Sequence, residues 1–320
     1  MATQPVSNPI YDNVLIVGGG LIGSSLARAC REFSAAKRVT ITDTNADVRT
    51  SLVSLDICDQ VTKTADPSDA DLVILAVPPG NIVDTAATLL PHMKKHATMT
   101  DVGSVKADVV EKITAILPEH IFFIGGHPIA GTEHSGPKAG FASLFTDRWC
   151  ILTTQEGSMD ETSPAARKLK KFWQAIGSRV TFMDAGHHDL VLATTSHLPH
   201  LIAYTLVGTA TDMETVTRGE VVKYSAAGFR DFTRIAASDP VMWRDVFLQN
   251  KDAVLEVLGR YIEDLTALKK AVRWGDGETL LREFTKTRDI RTRIIDAGQD
   301  SPKPNFGRNV ADDGPGNEED

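Results

Sequence analysis

Three glycines near the start of the chain have the spacing of a phosphate-binding turn. Gly18, Gly20 and Gly23 fit G-x-G-x-x-G, between the apolar run Val14–Val17, which predicts a strand, and the helical pattern Leu21–Phe33. In such a turn the first glycine allows the tight bend, the second lets a pyrophosphate approach the backbone, and the third lets the helix pack closely on the strand. The helix N-terminus adds free N–H groups and a partial positive charge. The spacing therefore predicts a dinucleotide site.

An acidic residue indicates which dinucleotide is bound. Asp43 lies 20 residues after Gly23, at the end of the predicted strand Val39–Asp43, and no arginine immediately follows it. A carboxylate there accepts hydrogen bonds from the adenosine ribose hydroxyls and repels a 2′-phosphate, which favours NAD over NADP. The alternative is a glycine turn beside an unrelated surface aspartate. We expect the same cofactor site to include four neighbouring apolar residues, Leu21, Ile22, Val77 and Pro78.

Two polar runs at predicted strand ends contain candidate catalytic residues. Ser104 lies between the predicted strand Thr98–Val102 and the predicted helix Val105–Leu117, and His127 opens a predicted loop, His127–Gly140, after a further strand. Open parallel sheets bind ligands beyond the carboxyl ends of their strands, so we expect His127 to lie near the nicotinamide. A histidine in that place suits general-base chemistry, and the alternative is a surface histidine on a turn.

The second half of the chain holds two more polar runs within apolar helical patterns. The run Ser196–His200 contains His197, and the run Gly228–Ala236 contains two arginines, one of them Arg234. The alternative for the first run is a satisfied core histidine or a pair of metal ligands three residues apart. The alternative for the second run is an ion-paired helix face. Because no cysteine or carboxylate spacing nearby supports metal ligation, we expect no metal site.

A sheet and a set of helices are needed to position these candidates. The first part of the chain alternates short apolar runs with helical patterns, which is typical of a mostly parallel sheet covered on both faces. After about Gly186 strand-like runs become rare, and Ala253–Lys270 and Glu278–Ile295 repeat apolar residues at helical spacing. We predict an α/β Rossmann-type N-terminal domain over residues 1–186, an all-α domain over residues 187–300, and a disordered acidic tail over residues 301–320.

Composition excludes several other classes of protein. The net charge of -8 over 320 residues predicts no nucleic-acid partner. Three scattered cysteines indicate neither a disulfide framework nor a cysteine-based zinc site. The segment Met1–Ile10 lacks a basic stretch followed by an apolar run, and no stretch approaches about 20 uninterrupted apolar residues. We therefore expect a cytoplasmic protein without a membrane partner.

Taken together, the polar runs resemble those of the TyrA family, the prephenate and arogenate (cyclohexadienyl) dehydrogenases of tyrosine biosynthesis. The similar runs are the glycine loop, Asp-Val-Gly-Ser-Val-Lys, Gly-Gly-His-Pro-Ile-Ala-Gly-Thr-Glu, Ser-His-Leu-Pro-His and Phe-Arg-Asp-Phe-Thr-Arg-Ile-Ala. The resemblance spans about Val14 to Ile295, and its histidine and arginine runs are more diagnostic than the glycines. It implies a 6-phosphogluconate dehydrogenase-like architecture, NAD as cofactor, a dicarboxylate substrate and a homodimer through the helical domain. Inhibition by tyrosine stays open.

The resemblance also implies the reaction and a role for each candidate residue. In an oxidative decarboxylation, hydride passes from the ring carbon that bears the hydroxyl to NAD, the ring carboxylate leaves as CO2, and the ring becomes aromatic. His127 would accept the hydroxyl proton, and Ser104 would contact the same hydroxyl and help to orient the histidine. The implied substrate-binding residues are Arg234, which would hold a carboxylate, His197 in the pocket wall, Glu133 as a gate, and Trp243 reaching a neighbouring subunit's pocket.

Two other functions stay open from the residues alone. A β-hydroxyacid dehydrogenase of the 6-phosphogluconate dehydrogenase type would share the sheet and the helical half. Such enzymes usually depend on a lysine in the first long helix of the second domain, and Leu190–Ala210 contains none. A non-catalytic NAD-binding sensor would not need His127, Ser104 and Arg234 together. The choice between prephenate and arogenate also stays open, because the two substrates differ only in a keto or an amino side chain.

Overall fold

The computed structural model of the protein describes residues 8–132, 134–154, 161–217 and 227–296. Eight strands form one sheet: β1 (Tyr11–Val17), β2 (Ala36–Thr42), β3 (Gln60–Thr62), β4 (Leu72–Leu75), β5 (Thr98–Asp101), β6 (Phe122–Pro128), β7 (Trp149–Thr154) and β8 (Arg179–Asp184). Their order is β3-β2-β1-β4-β5-β6-β7-β8. Strands β1 to β6 run parallel, β7 is antiparallel to β6, and β8 is parallel to β7. This is the Rossmann strand order extended by two strands.

Helices cover both faces of the sheet. They are α1 (Leu21–Glu32), α2 (Ala46–Leu55), α3 (Ile82–Leu89), α4 (Ala107–Ala115) and α5 (Pro164–Ala175). Of the residues of β1, Val14 and Ile16 belong to one hydrophobic cluster, and Leu15 and Val17 belong to another. Alternate residues of a strand point to opposite faces, so the two clusters lie on the two sides of the sheet. The predicted α/β fold is confirmed, and the four apolar residues of β4 are buried throughout.

The rest of the described chain is helical, as the sequence predicts. It contains α6 (Ala185–Leu192), α7 (Leu198–Thr217), α8 (Ala227–Thr233), α9 (Pro240–Gln249), α10 (Lys251–Trp274) and α11 (Gly277–Asp296). The described residues divide into two compact units on either side of Val257, within α10. The domain boundary predicted from the sequence lies earlier in the chain, after residue 186. Helix α6 packs on α4 and β8, so the start of the helical half belongs to the same compact unit as the sheet. The limits at 186 and 300 stay predictions.

A wide π-helical turn, Ala193–His197, joins α6 to α7. The N–H of Leu198 donates to the carbonyl of Ala193, five residues earlier, in place of the usual bond to the fourth residue back. Pro199 follows in the first turn of α7, where its missing N–H is tolerated. His197, at the end of the wide turn, is fully buried. Such turns are frequent at functional sites because they alter which side chains face inward.

The helical stretch Ala185–Asp212 is long and apolar enough to cross a membrane by length and composition alone. It also contains three buried polar side chains, His188, Asp189 and His197. All three form hydrogen bonds to other parts of the protein. These bonds are typical of a helix packed against protein, so length and composition are weak evidence for a membrane span here.

The structure differs from the sequence prediction at two places in the sheet region. Strand β6 continues through Pro128, whereas a loop is predicted from His127 onwards, and His127 pairs with Ile151 of β7. The sheet therefore fixes the direction of the His127 side chain. The sequence analysis also does not predict α2 and β3. Helix α2 has Val48, Leu52 and Leu55 at helical spacing, although only Leu52 is fully buried, and β3 has three residues.

Candidate active site

The glycine turn between β1 and α1 has the shape that a bound pyrophosphate requires. Gly18 has a φ of +105°, and a Cβ at this position would overlap the carbonyl group of Ala76. A Cβ at Gly23 would overlap the carbonyl oxygen of Gly18, so α1 can approach β1 only with glycine there. Gly20 faces open space, with no atom within 4 Å of where its Cβ would be. The turn is therefore accessible to a ligand at the N-terminus of α1.

Asp43 follows β2 directly and is fixed against the glycine turn. Its Oδ2 accepts a hydrogen bond from the N–H of Gly19, and its Oδ1 accepts one from the N–H of Asn45, each at 2.8 Å. Each carboxylate oxygen keeps a further lone pair for a ribose hydroxyl. Arg49 donates to the backbone carbonyls of Asp43 and Thr44, at 2.8 Å each. These residues fit a dinucleotide whose adenosine ribose lies beside Asp43.

The other four expected cofactor residues lie around the same turn. Leu21 and Ile22 open α1 and are half-buried. Val77 and Pro78 follow β4, the neighbour of β1 in the sheet, and are half-buried and exposed respectively. The carboxyl ends of β1 and β4 therefore bring both pairs to one edge of the sheet, and their contact with a cofactor stays a proposal.

His127, at the carboxyl end of β6, heads a chain of three hydrogen-bonded side chains. Its Nδ1 lies 2.9 Å from Nε2 of His188, and Nδ1 of His188 lies 2.8 Å from Oδ1 of Asp189. A carboxylate oxygen only accepts, so His188 donates through Nδ1 and, as a neutral imidazole, accepts through Nε2. His127 therefore donates through Nδ1 and keeps a lone pair on Nε2. The chain fixes His127 in the tautomer that can accept a proton.

The carboxylate at the end of this chain is anchored on a helix N-terminus. Oδ1 of Asp189 accepts from the N–H of Lys106 at 2.8 Å, and Oδ2 accepts from the N–H of Ala107 at 2.9 Å. The first N–H groups of a helix have no partner within the helix, and its dipole favours a negative charge at that end. Helix α4 thereby holds Asp189 in place as a hydrogen-bond acceptor, and Asp189 in turn holds the two histidines.

A buried ion pair supports the strand that carries His127. Lys106 and Asp101 are paired, and both side chains are fully buried. Asp101 also accepts hydrogen bonds from the N–H groups of Gly103 at 2.9 Å and Gly126 at 3.2 Å. The carboxylate therefore ties the loop after β5 to β6, one residue before His127. Removing one partner of a buried pair typically costs about 3–5 kcal/mol, so this pair is important for the shape of the site.

His127 and His188 are both neutral near pH 7. Burial lowers the pKa of His127 well below 6.5, and the neighbouring His188 and the charge of Lys106 lower it further. Burial also lowers the pKa of His188, although the hydrogen bond to Asp189 raises it. A neutral His127 agrees with the tautomer argument, because a protonated imidazole would have no lone pair to accept a proton.

A third histidine, His197, lies in the π-turn, and one of its ring nitrogens has no hydrogen-bond partner among the described residues. Nδ1 of His197 lies 3.0 Å from Nδ2 of Asn250, and burial lowers the His197 pKa to about 4. Its Nε2 is buried and has no hydrogen-bond partner among the residues that the structure describes. A buried polar group without a partner typically costs about 1–3 kcal/mol. Nε2 of His197 is therefore a candidate ligand contact.

Trp243 packs against histidines of its own chain. Its ring stacks on His200 with a centroid distance of 3.6 Å, and the ring of His197 lies edge-on to it at 5.9 Å. His200 donates through Nδ1 to the carbonyl of Ser196 at 2.8 Å. The sequence analysis expects Trp243 to reach a neighbouring subunit, whereas the structure buries it within the subunit. In the described ranges, no three His, Cys, Asp or Glu side chains are placed to hold a metal ion.

The remaining candidates lie at less enclosed positions. Arg234 begins the 3-10 helix Arg234–Ala237 and is exposed, and its charge adds to the burial that lowers the pKa of His200. Ser104 is half-buried in the loop after β5. Within the described part of the chain it makes no hydrogen bond to His127, and the partner that orients His127 is His188. Glu133 lies outside the described residues.

The sequence analysis does not single out His188, Asp189 or Asn250. His188 and Asp189 are adjacent in a helix whose N-cap is Asp184, and the neighbouring His187 is exposed. Sequence alone gives no reason to prefer one of these two histidines. Asn250 lies between α9 and α10, where an asparagine is also typical of a simple helix end. Only the tertiary contacts show that these three residues belong to the site.

The buried histidines predict a loss of stability in acid. Burial lowers the pKa values of His127, His188, His197 and His200, so the folded protein binds fewer protons than the unfolded chain at pH values below about 6.5. Their contribution to stability is fully present above that pH and is lost as the pH falls. We expect the free energy of unfolding, measured with urea, to fall between pH of about 6.5 and about 4, and His197→Gln to reduce this slope.

A matched control separates this effect from general acid denaturation. His120 is exposed, and His120→Gln should leave the slope of stability against pH unchanged. Glutamine at position 197 keeps an oxygen that can accept the hydrogen bond from Asn250. Equal slopes in the His197→Gln variant and the unaltered protein would contradict the buried neutral state of His197.

The fold and the site define a class of protein: a Rossmann-type oxidoreductase with a helical second half. The chain belongs to the prephenate dehydrogenase family. Residues 26–182 match the family's domain described as "Prephenate dehydrogenase, nucleotide-binding domain", and residues 184–286 match "Prephenate dehydrogenase, dimerization domain". The family expected from the polar runs is therefore confirmed.

Individual relatives and solved structures are similar over most of the chain. The cyclohexadienyl dehydrogenase of Zymomonas mobilis is 41% identical over 89% of this chain and 97% of its own. The prephenate dehydrogenase of Bacillus subtilis is 32% identical over 89% of this chain and 76% of its own. The structure of A. aeolicus prephenate dehydrogenase in complex with hydroxyphenyl propionate and NAD+ is 36% identical, covers 88% of this chain and 98% of its own, and has a TM-score of 0.82.

Proposed function

We propose that the protein catalyses the NAD-dependent oxidative decarboxylation of prephenate to 4-hydroxyphenylpyruvate, of arogenate to tyrosine, or of both. The observation that carries the proposal is the hydrogen-bonded chain from Asp189 through His188 to His127. It presents a lone pair on Nε2 of His127 at the carboxyl end of β6, the edge of the sheet at which the glycine turn also lies. Membership of the prephenate dehydrogenase family supports the same reaction.

The chemistry requires a base for the hydroxyl on the substrate ring. NAD accepts the hydride from the carbon that bears this hydroxyl. His127 accepts the hydroxyl proton through Nε2, and the hydrogen bond that its Nδ1 donates to His188 keeps Nδ1 occupied, so that proton transfer occurs at one nitrogen. The electron pair of the breaking bond to the ring carboxylate moves into the ring, which becomes aromatic as CO2 leaves. His127 then returns its proton to the phenolic oxygen.

The substrate side of the site combines charged and neutral groups. Arg234 is proposed to hold a substrate carboxylate, since a guanidinium offers two parallel N–H donors. His197 and Trp243 would line the pocket from the helical half, and Ser104 would contact the ring hydroxyl. Glu133 is proposed as a gate from the sequence alone. Together these groups would align the hydroxyl with His127, and alignment supplies much of the rate in a reaction that aromatisation drives forward.

The choice of cofactor depends on Asp43. We expect NAD to be preferred to NADP in kcat/KM, because a 2′-phosphate would be repelled by the carboxylate at that position. Asp43→Ser should relax the preference, mainly through the KM of the cofactor, which steady-state kinetics with both cofactors measures. Asp47→Ser is a suitable control, since Asp47 is an exposed carboxylate on the neighbouring α2. Equal use of NADP by the unaltered protein would contradict the assignment.

Steady-state assays with two substrates and two cofactors test the proposed function. NADH formation with prephenate, arogenate or both, and no turnover of simple 3-hydroxy acids, is the expected result. It would separate the proposal from a β-hydroxyacid dehydrogenase, which would oxidise the 3-hydroxy acids. Binding of NAD without turnover of either ring substrate would instead support a cofactor sensor. The choice between prephenate and arogenate follows from the ratio of the two kcat/KM values.

The dimerisation domain of the family supports a homodimer, and exposed apolar side chains on the last two helices suggest where it forms. Helix α10 exposes Ile262 and Leu265 by 53% and 50%, and α11 exposes Leu281 and Phe284 by 70% and 56%. Patches of this kind on a surface are typical of an interface. We propose that α10 and α11 pack against the same two helices of a second copy of the protein. Inhibition by tyrosine stays open, and the cytoplasmic location stays a prediction.

A charged side chain in this patch should dissociate the dimer. Leu281→Glu would bury a charge against apolar residues of the partner, which is costly without an ion partner. Light scattering should show a dimer for the unaltered protein and a monomer for the variant. Val53→Glu makes the same change at an apolar residue of α2 with similar exposure, 66%, and should leave the dimer intact. A monomeric mass for the unaltered, fully active protein would contradict the proposed assembly.

A further inference from the structure

Asn250, at the junction of α9 and α10, has an orientation that its neighbours fix. Its side chain is only 5% exposed. Nδ2 donates to the carbonyl of Asp189 at 2.8 Å and lies 3.0 Å from Nδ1 of His197. A backbone carbonyl can only accept, so the amide must point its nitrogen, and not its oxygen, towards both partners. An amide nitrogen has two hydrogens and accepts none, so Nδ1 of His197 must be the acceptor.

The tautomer of His197 follows from this contact. A neutral imidazole that accepts through Nδ1 carries its proton on Nε2. Burial lowers the pKa of His197 to about 4, so the ring is neutral at physiological pH. The N–H of Nε2 is buried and unpaired within the described ranges. His197 is therefore a donor at Nε2, whereas His127 has its lone pair at that atom.

We infer that Asn250 is a positioning residue, which fixes His197 as a hydrogen-bond donor to a carboxylate or carbonyl oxygen of the substrate. The inference rests on the proposed function, because it takes the ligand of this site to be the substrate. An ammonium group, which has only hydrogens to offer, would meet the N–H of His197 unfavourably. Asn250 also donates to the carbonyl of Asp189. It therefore links His197 to the residue that anchors the hydrogen-bonded pair His188 and His127.

The tautomer can be measured without substrate. ¹⁵N NMR of histidine-labelled, NAD-bound protein distinguishes the two neutral tautomers, and His197→Gln identifies the His197 signals by their loss. We expect the proton of His197 on Nε2 and the proton of His127 on Nδ1. A proton of His197 on Nδ1 in the unaltered protein would overturn the inference. This readout does not depend on enzymatic activity, so its failure is distinguishable from failure of the proposed function.

Kinetics of Asn250→Asp test the consequence for the substrate. A carboxylate of the same size can only accept, so the proton of His197 should move to Nδ1, and Nε2 should lose its donor. We expect the KM of the substrate to rise about tenfold or more, with a much smaller change in kcat and in the KM of NAD. Gln174→Glu makes the same amide-to-carboxylate change at an exposed residue of α5 and should alter none of these values.

A double variant separates positioning from simple loss of structure. In His197→Ala the ring and its donor are both absent, so adding Asn250→Asp should then raise the KM of the substrate far less than it does alone. Full additivity of the two changes would contradict an action through His197. If Asn250→Asp fails to fold, the NMR measurement on the unaltered protein decides the question. An unchanged KM in a folded Asn250→Asp variant would also overturn the inference.

Discussion

Replacing His127 with asparagine should lower kcat by about 10²–10⁴-fold, the usual contribution of a general base. Asparagine can still donate a hydrogen bond to Nε2 of His188, so the buried chain keeps its first contact. It has no basic nitrogen to accept the ring hydroxyl proton. Because the lost interaction forms mainly in the transition state, the KM of the substrate should change much less than kcat. Steady-state kinetics of purified variant and unaltered protein measure both values.

The pH dependence of the same reaction adds a second check on His127. Because burial lowers the pKa of His127 well below 6.5, kcat/KM should stay level as the pH falls to the ordinary histidine range and should decline only below it. His120→Asn, at an exposed histidine, serves as the matched control and should keep normal rates. A near-normal kcat in His127→Asn would remove His127 from the mechanism.

Replacing Arg234 with glutamine should raise the KM of the substrate by about one to three orders of magnitude, at ~1.4 kcal/mol for each factor of ten. The substrate is proposed to be a dicarboxylate, and the chain as a whole has a net charge of -8, so a local cation is needed to hold it. Losing a charge-assisted, bidentate hydrogen bond leaves the carboxylate poorly paired in its pocket. The KM of NAD should barely change, since Asp43 and the glycine turn are unaltered.

Arg230 provides the control for this experiment. It lies four residues earlier on α8 and is also exposed, so Arg230→Gln removes the same charge from the same region. We expect its effect on the KM of the substrate to be small. If Arg234→Gln binds the substrate normally but loses affinity for NAD, Arg234 belongs to the cofactor site and the proposed map of the pocket is wrong.

The parts of the fold that follow a strong local pattern could be predicted from the sequence. The glycine turn has its φ and its close contacts at the positions that the spacing indicates, Gly18 and Gly23. Long amphipathic helices such as α10 also match their apolar periodicity. Strand β3 could not be predicted, since it has three residues. Helix α2 is missed, although apolar residues recur in it at helical spacing, at Val48, Leu52 and Leu55. The extension of β6 through His127 depends on pairing with β7, a partner more than 20 residues away.

In the candidate site, too, some residues could be predicted from the sequence and others could not. His127, His197 and Arg234 lie in runs that resemble a known family, so the sequence indicates them. His188, Asp189 and Asn250 act through hydrogen bonds across 53 to 83 positions of the chain, and no local pattern reveals such contacts. The same applies to the opposite tautomers of His127 and His197. Each tautomer is fixed by a chain of hydrogen bonds that ends at an oxygen of Asp189 that can only accept, the carboxylate for His127 and the backbone carbonyl for His197.

The most direct measurement of the central claim is the stoichiometry of the reaction with NAD and prephenate labelled in its ring carboxylate. The account predicts that NADH and labelled CO2 form in equal amounts, with 4-hydroxyphenylpyruvate as the organic product, and that His127→Asn slows both together. NADH formation without release of the label would contradict it, because the hydroxyl-bearing carbon would then be oxidised without aromatisation. Absence of both products from a folded, NAD-binding protein, with arogenate as well as prephenate, would contradict the proposed function altogether.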